Sequence, residues 1–178
     1  MNELVEGDLK VTLPIGIEGR KFDNETHGLS HCMKAVDFIV ELNDKIIFVE
    51  LNDKIIFVEL KDVDSPSASE NKDRNKFLSK FLSGGIDSDL QYKYRDSYLY
   101  ELASGRADKP IYYYVLIGAE ALSDADLLAR TDALKRNLPV YGANSKPWKK
   151  PFVAGCAVMN LLAWNKVLPM YPASRLSQ

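Results

Sequence analysis

The sequence predicts an α/β fold, in which a mixed central sheet is flanked by helices on both faces. Three runs rich in Ile, Val and Phe, at residues 35–42, 45–51 and 54–63, are apolar on both faces, as central strands are. Further along, amphipathic stretches with helical spacing alternate with two more strand-like runs, which is typical of layered α/β proteins. The segment ELNDKIIFV also occurs twice in tandem, at 41–49 and 50–58, within the strand region. We therefore expect one domain over residues 1–178, built around these strands.

Breakers and caps set the boundaries of the other elements. Gly84-Gly85 and Gly105 are expected to end two helices, and Ser123 is expected to cap a third that ends before Pro139. The predicted helices cover residues 71–82, 88–104, 123–138 and 160–168, and the later strands cover 111–117 and 152–158. Before residue 33 the pattern is weaker, and it predicts a short helix over 3–10 and an extended segment over 11–17.

Composition bounds the class of protein. The chain has 178 residues, 46% apolar and 27% charged, with a formal net charge of −2, which argues against a general polyanion binder. Cys32 and Cys156 lie far apart and in no motif, which favours a reducing compartment. No run approaches the ~18 apolar residues that span a bilayer, and the N-terminal MNELVEGDLK is too acidic for a signal peptide. We expect a cytoplasmic protein without a membrane partner.

Three polar residues stand out against the apolar runs: Asp37, Glu59 and Lys61. Alternate residues of a strand share a face, so Glu59 and Lys61 point the same way, and Asp37 joins them if the two strand faces coincide. Carboxylates in an apolar sheet are costly unless a partner offsets their charge. A divalent cation does so, and oxygen ligands favour Mg²⁺ or Mn²⁺. Such a metal would polarise a phosphoryl oxygen and activate a water that Lys61 holds.

The pattern Val36-Asp37…Glu59-Leu60-Lys61, on consecutive strands followed by a helix, resembles the PD-(D/E)XK nuclease superfamily, which includes restriction endonucleases and RecB-like exonucleases. The resemblance implies a restriction-endonuclease-like fold and Mg²⁺-dependent hydrolysis of phosphodiester bonds, in DNA more than in RNA. It implies that Asp37 and Glu59 bind the metal with the backbone carbonyl of Leu60, and that Lys61 is the catalytic lysine. Val36 stands where the nominal pattern has proline. The resemblance leaves a homodimer open.

Further residues follow from the same resemblance. An additional acid from the N-terminal region is expected, with Glu3, Glu6 and Glu18 as candidates. Polar residues in the helix after the motif are expected to bind substrate, and here they are Gln91, Lys93 and Arg95. The Q-x-x-x-Y spacing of RecB-like enzymes is not met, because Tyr94 follows Gln91 by three positions. Two basic clusters suit phosphate contacts: Lys72, Arg74, Lys76 and Lys80, and then Lys146, Lys149 and Lys150 around Trp148.

The tandem repeat leaves the site open to three arrangements. If the chain turns at Asn43-Asp44, Asp37 pairs with Glu50, and Asn52 takes the place of the lysine. If all three runs form a meander, Asp37 and Glu59 lie two strand spacings apart, roughly 9–10 Å, too far to share one metal. If one copy leaves the sheet, Glu59 and Lys61 regain their place beside Asp37. We favour Glu59 and Lys61 because only that copy keeps the lysine, so that Glu50 and Asn52 form a decoy.

The same residues admit a second class of function. A nuclease-like chain with an impaired site would serve as a binding or scaffold module rather than as an enzyme. Identity at all nine repeated positions is also consistent with a strand duplication engineered into a parent sequence. Which copy of the repeat lies beside Asp37 decides between an enzyme and a binding or scaffold module.

Overall fold

A computed structural model describes residues 2–24, 27–42, 53–65, 71–138, 140 and 151–177, and the structural statements below concern this part of the chain. In chain order the elements are β1 (Glu3–Glu6), β2 (Leu9–Thr12), β3 (Gly19–Lys21), β4 (Phe38–Leu42), β5 (Lys54–Asp62), α1 (Asn71–Leu82), α2 (Asp87–Ala103), β6 (Ile111–Gly118), α3 (Asp124–Asn137), β7 (Gly155–Met159), α4 (Leu161–Val167) and β8 (Ala173–Arg175).

A five-stranded mixed sheet forms the centre of the molecule, in the order β3-β4-β5-β6-β7. Strand β4 is antiparallel to both of its neighbours, β3 and β5, whereas β5, β6 and β7 are parallel to one another. Parallel strands need crossover connections, and the two here contain α1 and α2, and then α3. The predicted α/β class with a mixed sheet is therefore confirmed.

Helices α1, α2 and α3 cover one face of this sheet. Their buried residues include Phe81, Leu90, Tyr94 and Leu134, which join a core with Phe57 and other residues of the sheet. The start of α3 is fixed by a reciprocal capping box, in which the Ser123 hydroxyl accepts from the Asp126 N–H and the Asp126 carboxylate accepts from the Ser123 N–H. The predicted cap on Ser123 is thus confirmed. Helix α2 begins without a side-chain cap, because the residue at its cap position is Ile86, whose side chain has no hydrogen-bond acceptor.

The opposite face is covered by a second sheet and by α4. This three-stranded sheet has the order β1-β2-β8. Leu4, Leu9 and Trp164 pack there against Val58 and Leu116 of the central sheet. The predicted helix over residues 3–10 is wrong, since these residues form an antiparallel hairpin. Its turn, Gly7-Asp8, needs a positive φ at its first position, and Gly7 has φ of 60°.

An ion-pair network joins the C-terminal strand to the central sheet. The Arg175 guanidinium contacts Asp62 at 3.1 Å and Asp8 at 3.5 Å, and all three side chains are largely buried. Asp62 also accepts the Asp8 N–H at 2.8 Å. This network fixes the end of β5, the strand that carries Glu59 and Lys61.

The later elements lie close to their predicted positions. The helix predicted over 71–82 has those bounds, and the strand predicted over 54–63 covers Lys54–Asp62. The strand predicted over 45–51 lies outside the described residues. Among the described helices none is both long and apolar enough to cross a bilayer.

Candidate active site

The second copy of the repeat lies beside the strand that follows Asp37. Strands β4 and β5 pair antiparallel, with Phe38 opposite Val58 and Leu42 opposite Lys54. One further step in the same register brings Asp37 next to Glu59. Of the three arrangements left open by the sequence, this is the one in which Glu59 and Lys61, rather than Glu50 and Asn52, accompany Asp37. Glu50 and Asn52 themselves lie outside the described residues.

The position of Asp37 is fixed from both sides. Its Oδ2 accepts the Leu60 N–H at 2.7 Å, and its backbone carbonyl accepts the Phe22 N–H at 2.8 Å. Just upstream, the Val36 N–H donates to the Ser97 hydroxyl of α2 at 3.0 Å. In an extended strand the carbonyl of a residue lies on the same side as its N–H, so the Leu60 carbonyl lies on the β4 side of β5. Asp37, Glu59 and Leu60 are thus neighbours across the two strands.

Lys93 of α2 bridges the two carboxylates. Its Nζ donates to Glu59 Oε1 at 2.7 Å and to Asp37 Oδ1 at 3.4 Å, and it lies 4.0 Å from Asp23 Oδ2. Both acids are 4% exposed. Because one lysine faces two buried carboxylates, the local charge is only partly offset.

Burial and mutual repulsion disfavour ionisation of this pair. Burial raises the pKa of Asp37, and the Lys93 charge opposes that rise. Burial, and then the Asp37 charge, raise the pKa of Glu59 to about 8. Buried Tyr113 is also affected by this pair. Its pKa is raised well above its usual value, mainly by burial and then by the charges of Glu59 and Asp37. Perturbed acids of this kind are concentrated at functional sites.

A cleft of about 580 Å³ opens over these residues. Glu59 and Lys61 lie on its sheet side, next to their register partners Val115 and Ile117 on β6. Lys34, Lys76 and Lys80 line the walls together with Asp73 and Asp89, and Lys34 and Lys80 both pair with Asp89. Lys61 and Lys76 form no ion pair in the described part of the chain, so they are the lining lysines best placed to meet an anionic group.

The donor set fits a hard divalent cation. Glu59 Oε2 is buried and has no hydrogen-bond partner in the described part of the chain, whereas Oε1 of the same carboxylate accepts from Lys93. A buried acceptor of this kind is costly unless a cation or water completes it. Two carboxylates and one carbonyl leave coordination positions for water, which Mg²⁺ usually retains. The described residues hold no group of three or more His, Cys, Asp or Glu side chains arranged for a metal.

The residues expected to bind substrate are placed apart. Lys93 lies at the carboxylates, whereas Gln91 donates to the Asn137 carbonyl at 3.0 Å, and Arg95 lies over the Tyr92 ring. Neither Gln91 nor Arg95 lines the cleft. In a helix, residues two positions apart do not face the same side, which separates Lys93 from its two neighbours.

Among the candidate N-terminal acids, Glu6 is the one whose charge reaches Asp37. It raises the pKa of Asp37, as a minor effect after burial, and its carboxylate pairs with Lys21 at 2.6 Å. Glu3 pairs with Lys10 at 3.3 Å instead. Glu18 does not line the cleft.

The basic clusters differ in placement. Lys76 and Lys80 line the cleft, whereas Arg74 pairs with Asp64 at 2.6 Å. The side chain of Lys72 is outside the described part. Lys146, Trp148, Lys149 and Lys150 also lie outside the described residues.

Sequence reasoning did not place Asp23 or His27 at this site. Asp23 lies near Lys93, and His27 lines the cleft with its Nδ1 accepting the Leu29 N–H at 3.0 Å. Both belong to a polar, turn-rich stretch without periodicity. Only the pairing of β3 with β4, which carries this stretch towards Asp37, gives their position.

Comparison of the chain with protein-family models, with curated proteins and with solved structures finds no match. The geometry of the site therefore has to carry the functional argument by itself.

Proposed function

We propose that the protein is a Mg²⁺-dependent nuclease of restriction-endonuclease-like fold, hydrolysing phosphodiester bonds in DNA in preference to RNA. One observation carries the proposal: buried Asp37 and Glu59 are adjacent across two strands, Glu59 lines a cleft and has an unpartnered oxygen, and Lys61 lies on the same strand face and lines the same cleft. Asp87, which pairs with Arg130, also has a buried oxygen without a partner, so it is the position of Glu59 beside a second buried acid that distinguishes the site.

In this proposal the residues of the site have separate roles. Asp37, Glu59 and the Leu60 carbonyl would hold the cation, which when bound supplies charge for the phosphoryl oxygens and acidifies a water. Lys61 is exposed on the cleft wall beside Glu59 and would orient the attacking water and offset charge that develops on the phosphate. The apolar floor around Val115 and Ile117 limits the solvent that competes with these interactions.

The cleft walls supply the substrate contacts. Lys76 and Lys80 of α1 line the cleft, where Lys80 pairs with Asp89, and Lys76 would contact a phosphate next to the reacting one. Phosphate contacts by lysine position a nucleic acid without reading its sequence. The preference for DNA rests on the resemblance of the Asp37, Glu59 and Lys61 pattern to nucleases that act on DNA.

A plasmid-nicking assay tests the proposal. Conversion of supercoiled plasmid in Mg²⁺ is measured for the protein, for Asp37→Asn and for Lys61→Met. We expect both variants to lose at least about 100-fold in rate, because Asp37→Asn removes a ligand of the cation and Lys61→Met removes the group that orients the attacking water. Lys54→Met is the matched control, since Lys54 lies at the opposite end of the same strand, over Tyr112. It should keep the parent rate, and equal activity in all four proteins would refute the enzyme proposal.

A non-enzymatic nucleic-acid-binding module is the second candidate, and the Glu59 pKa of about 8 favours it. A glutamate that stays protonated at neutral pH, beside an acid already paired with Lys93, is a poor cation ligand. If the protein is such a binding module, we expect it to bind plasmid without nicking it, even in Mg²⁺ at a pH above 8. Salt-dependent binding that survives Asp37→Asn would support it.

A further inference from the structure

Lys93 contacts one oxygen of each carboxylate, Asp37 Oδ1 and Glu59 Oε1. Asp37 Oδ2 is occupied by the Leu60 N–H at 2.7 Å, so Oδ1 is the oxygen left for a cation, and Lys93 contacts it at 3.4 Å. On Glu59, Lys93 takes Oε1 at 2.7 Å and leaves Oε2 without a partner. The ammonium group therefore lies between the two carboxylates, in the space where a shared divalent cation would bind.

A cation and the Lys93 ammonium cannot both remain in that space. Their charges repel, and the burial of both carboxylates weakens the solvent screening that would otherwise reduce the repulsion. Binding of a divalent cation thus requires Lys93 to move, and a buried lysine that leaves its partners needs another acceptor or water.

Asp23 provides that acceptor. Its Oδ2 is already 4.0 Å from Lys93 Nζ, and its side chain is 53% exposed, on the open side of the site. The Asp23 N–H lies 3.4 Å from the Asp37 carbonyl oxygen, so its backbone is tied to the same strand. In the described part of the chain no other ion pair involves the Asp23 carboxylate. A small rotation of the Lys93 side chain would therefore exchange two buried partners for one exposed partner.

We propose that Lys93 is an exchangeable counter-ion: it holds Asp37 and Glu59 together without metal and transfers to Asp23 when a divalent cation binds. This inference rests on the proposed metal-dependent function. Lys93 is then a positioning residue, and Asp23 favours metal binding without touching the metal.

A double-mutant cycle on metal affinity tests the exchange. Mn²⁺ affinity is measured by calorimetry, at one pH of about 8.5, for the full chain and for Asp23→Asn, Lys93→Met and the double variant. Asp73→Asn is the charge-matched control, because Asp73 lines the same cleft with no ion pair to Lys93 in the described part of the chain. Thermal melts in EDTA establish that each variant is folded.

The exchange predicts an effect that depends on Lys93. Asp23→Asn should weaken Mn²⁺ binding about fivefold when Lys93 is present, the size expected of one partly exposed ion pair. In the Lys93→Met background the same substitution should change affinity less than about twofold, since no ammonium then needs the acceptor. Asp73→Asn should leave affinity near that of the parent.

Other outcomes overturn the exchange. An equal Asp23→Asn penalty in both backgrounds means that Asp23 acts on the metal directly, and no penalty in either means that it plays no part. Absence of Mn²⁺ binding in every protein overturns the proposed function along with the exchange, whereas metal binding without coupling overturns the exchange alone.

A structure determined with Mn²⁺ bound gives an independent measurement if Lys93→Met does not fold. The exchange predicts Lys93 Nζ nearer to the Asp23 carboxylate than to Glu59 Oε1. A lysine that keeps its 2.7 Å contact with Glu59 beside the metal would contradict it.

Discussion

Asp37, Glu59 and Lys93 form a buried cluster with two potential negative charges and one positive charge. Such a cluster is stable when one acid holds a proton or when a further cation is supplied. The raised pKa of Glu59 corresponds to the first state, in which one acid holds a proton. The metal-bound form of the proposed enzyme corresponds to the second. The same burial thus produces both the instability of the ionised pair and its affinity for a metal.

Ionisation of Glu59 makes stability depend on pH. Its pKa is about 8 in the folded chain and 4.5 for an unperturbed glutamate, so between these values the folded state alone binds the proton. The free energy of unfolding should therefore fall as pH rises from about 4.5 to about 8, by more than ~1 kcal/mol. Glu59→Gln cannot ionise and should show a smaller decline. Urea denaturation in EDTA at pH about 5.5 and about 8.5 measures both, and parallel declines would contradict the assignment.

Single residues were predictable where their type conflicted with their surroundings. An acid inside the apolar run at Asp37, and Glu59 with Lys61 closing another run, were visible without structure. The partner of those acids was not, because Lys93 differs from Gln91 and Arg95 only in which side of α2 it occupies. Helical periodicity alone does not say which side faces the sheet.

At the scale of elements, β5 explains how the chain accommodates its repeat. The residues 43–53 connect Leu42 to its partner Lys54, and an Asn-Asp pair directly precedes Lys45 in the first copy and Lys54 in the second. Deleting residues 43–51 therefore leaves Leu42-Asn52-Asp53-Lys54, a two-residue connection in the same register. Deleting residues 54–62 leaves a chain of the same length that differs only in having Asn52 in place of Lys61.

These two deletions test the role of the repeat. Both should fold with the sheet register intact and gain about 1–1.5 kcal/mol, because the connection shortens. Only the first should nick plasmid in Mg²⁺, because it keeps Lys61. Urea denaturation and the nicking assay measure the two effects. Unfolding of both, or equal nicking by both, would contradict the register or the role of the lysine, respectively.

The boundaries of α1 and α3 were predictable from local sequence signals, whereas the N-terminal hairpin was predicted wrongly as a helix. Gly84-Gly85 and the Ser123 cap define the ends of α1 and α3 whatever surrounds them. For residues 3–12, the alternation of Leu9 and Val11 with polar neighbours and the Gly7-Asp8 turn are strand signals. The charged residues of the same segment obscure these strand signals, and a short sheet at the surface tolerates such residues.

In the whole molecule the central sheet has a different cover on each face. The face with α1, α2 and α3 contains the cleft, whereas the second sheet and α4 close the other face and bind the end of β5 through Arg175. Asp62 in that network directly follows Lys61, so the strand is fixed next to Glu59 and Lys61. Sequence patterns predicted the layers but not the second sheet, because β8 pairs with β2 across nearly the whole chain.

The repeat supplies its own control for the central claim, that Asp37 works with Glu59. Glu59 and Glu50 occupy equivalent places, each preceded by the same nine residues. The measurement is the rate of plasmid nicking in Mg²⁺ for Glu59→Ala and Glu50→Ala. We expect Glu59→Ala to lose at least about 100-fold and Glu50→Ala to keep the parent rate. Loss of nicking in Glu50→Ala, with activity kept in Glu59→Ala, would contradict the site described here.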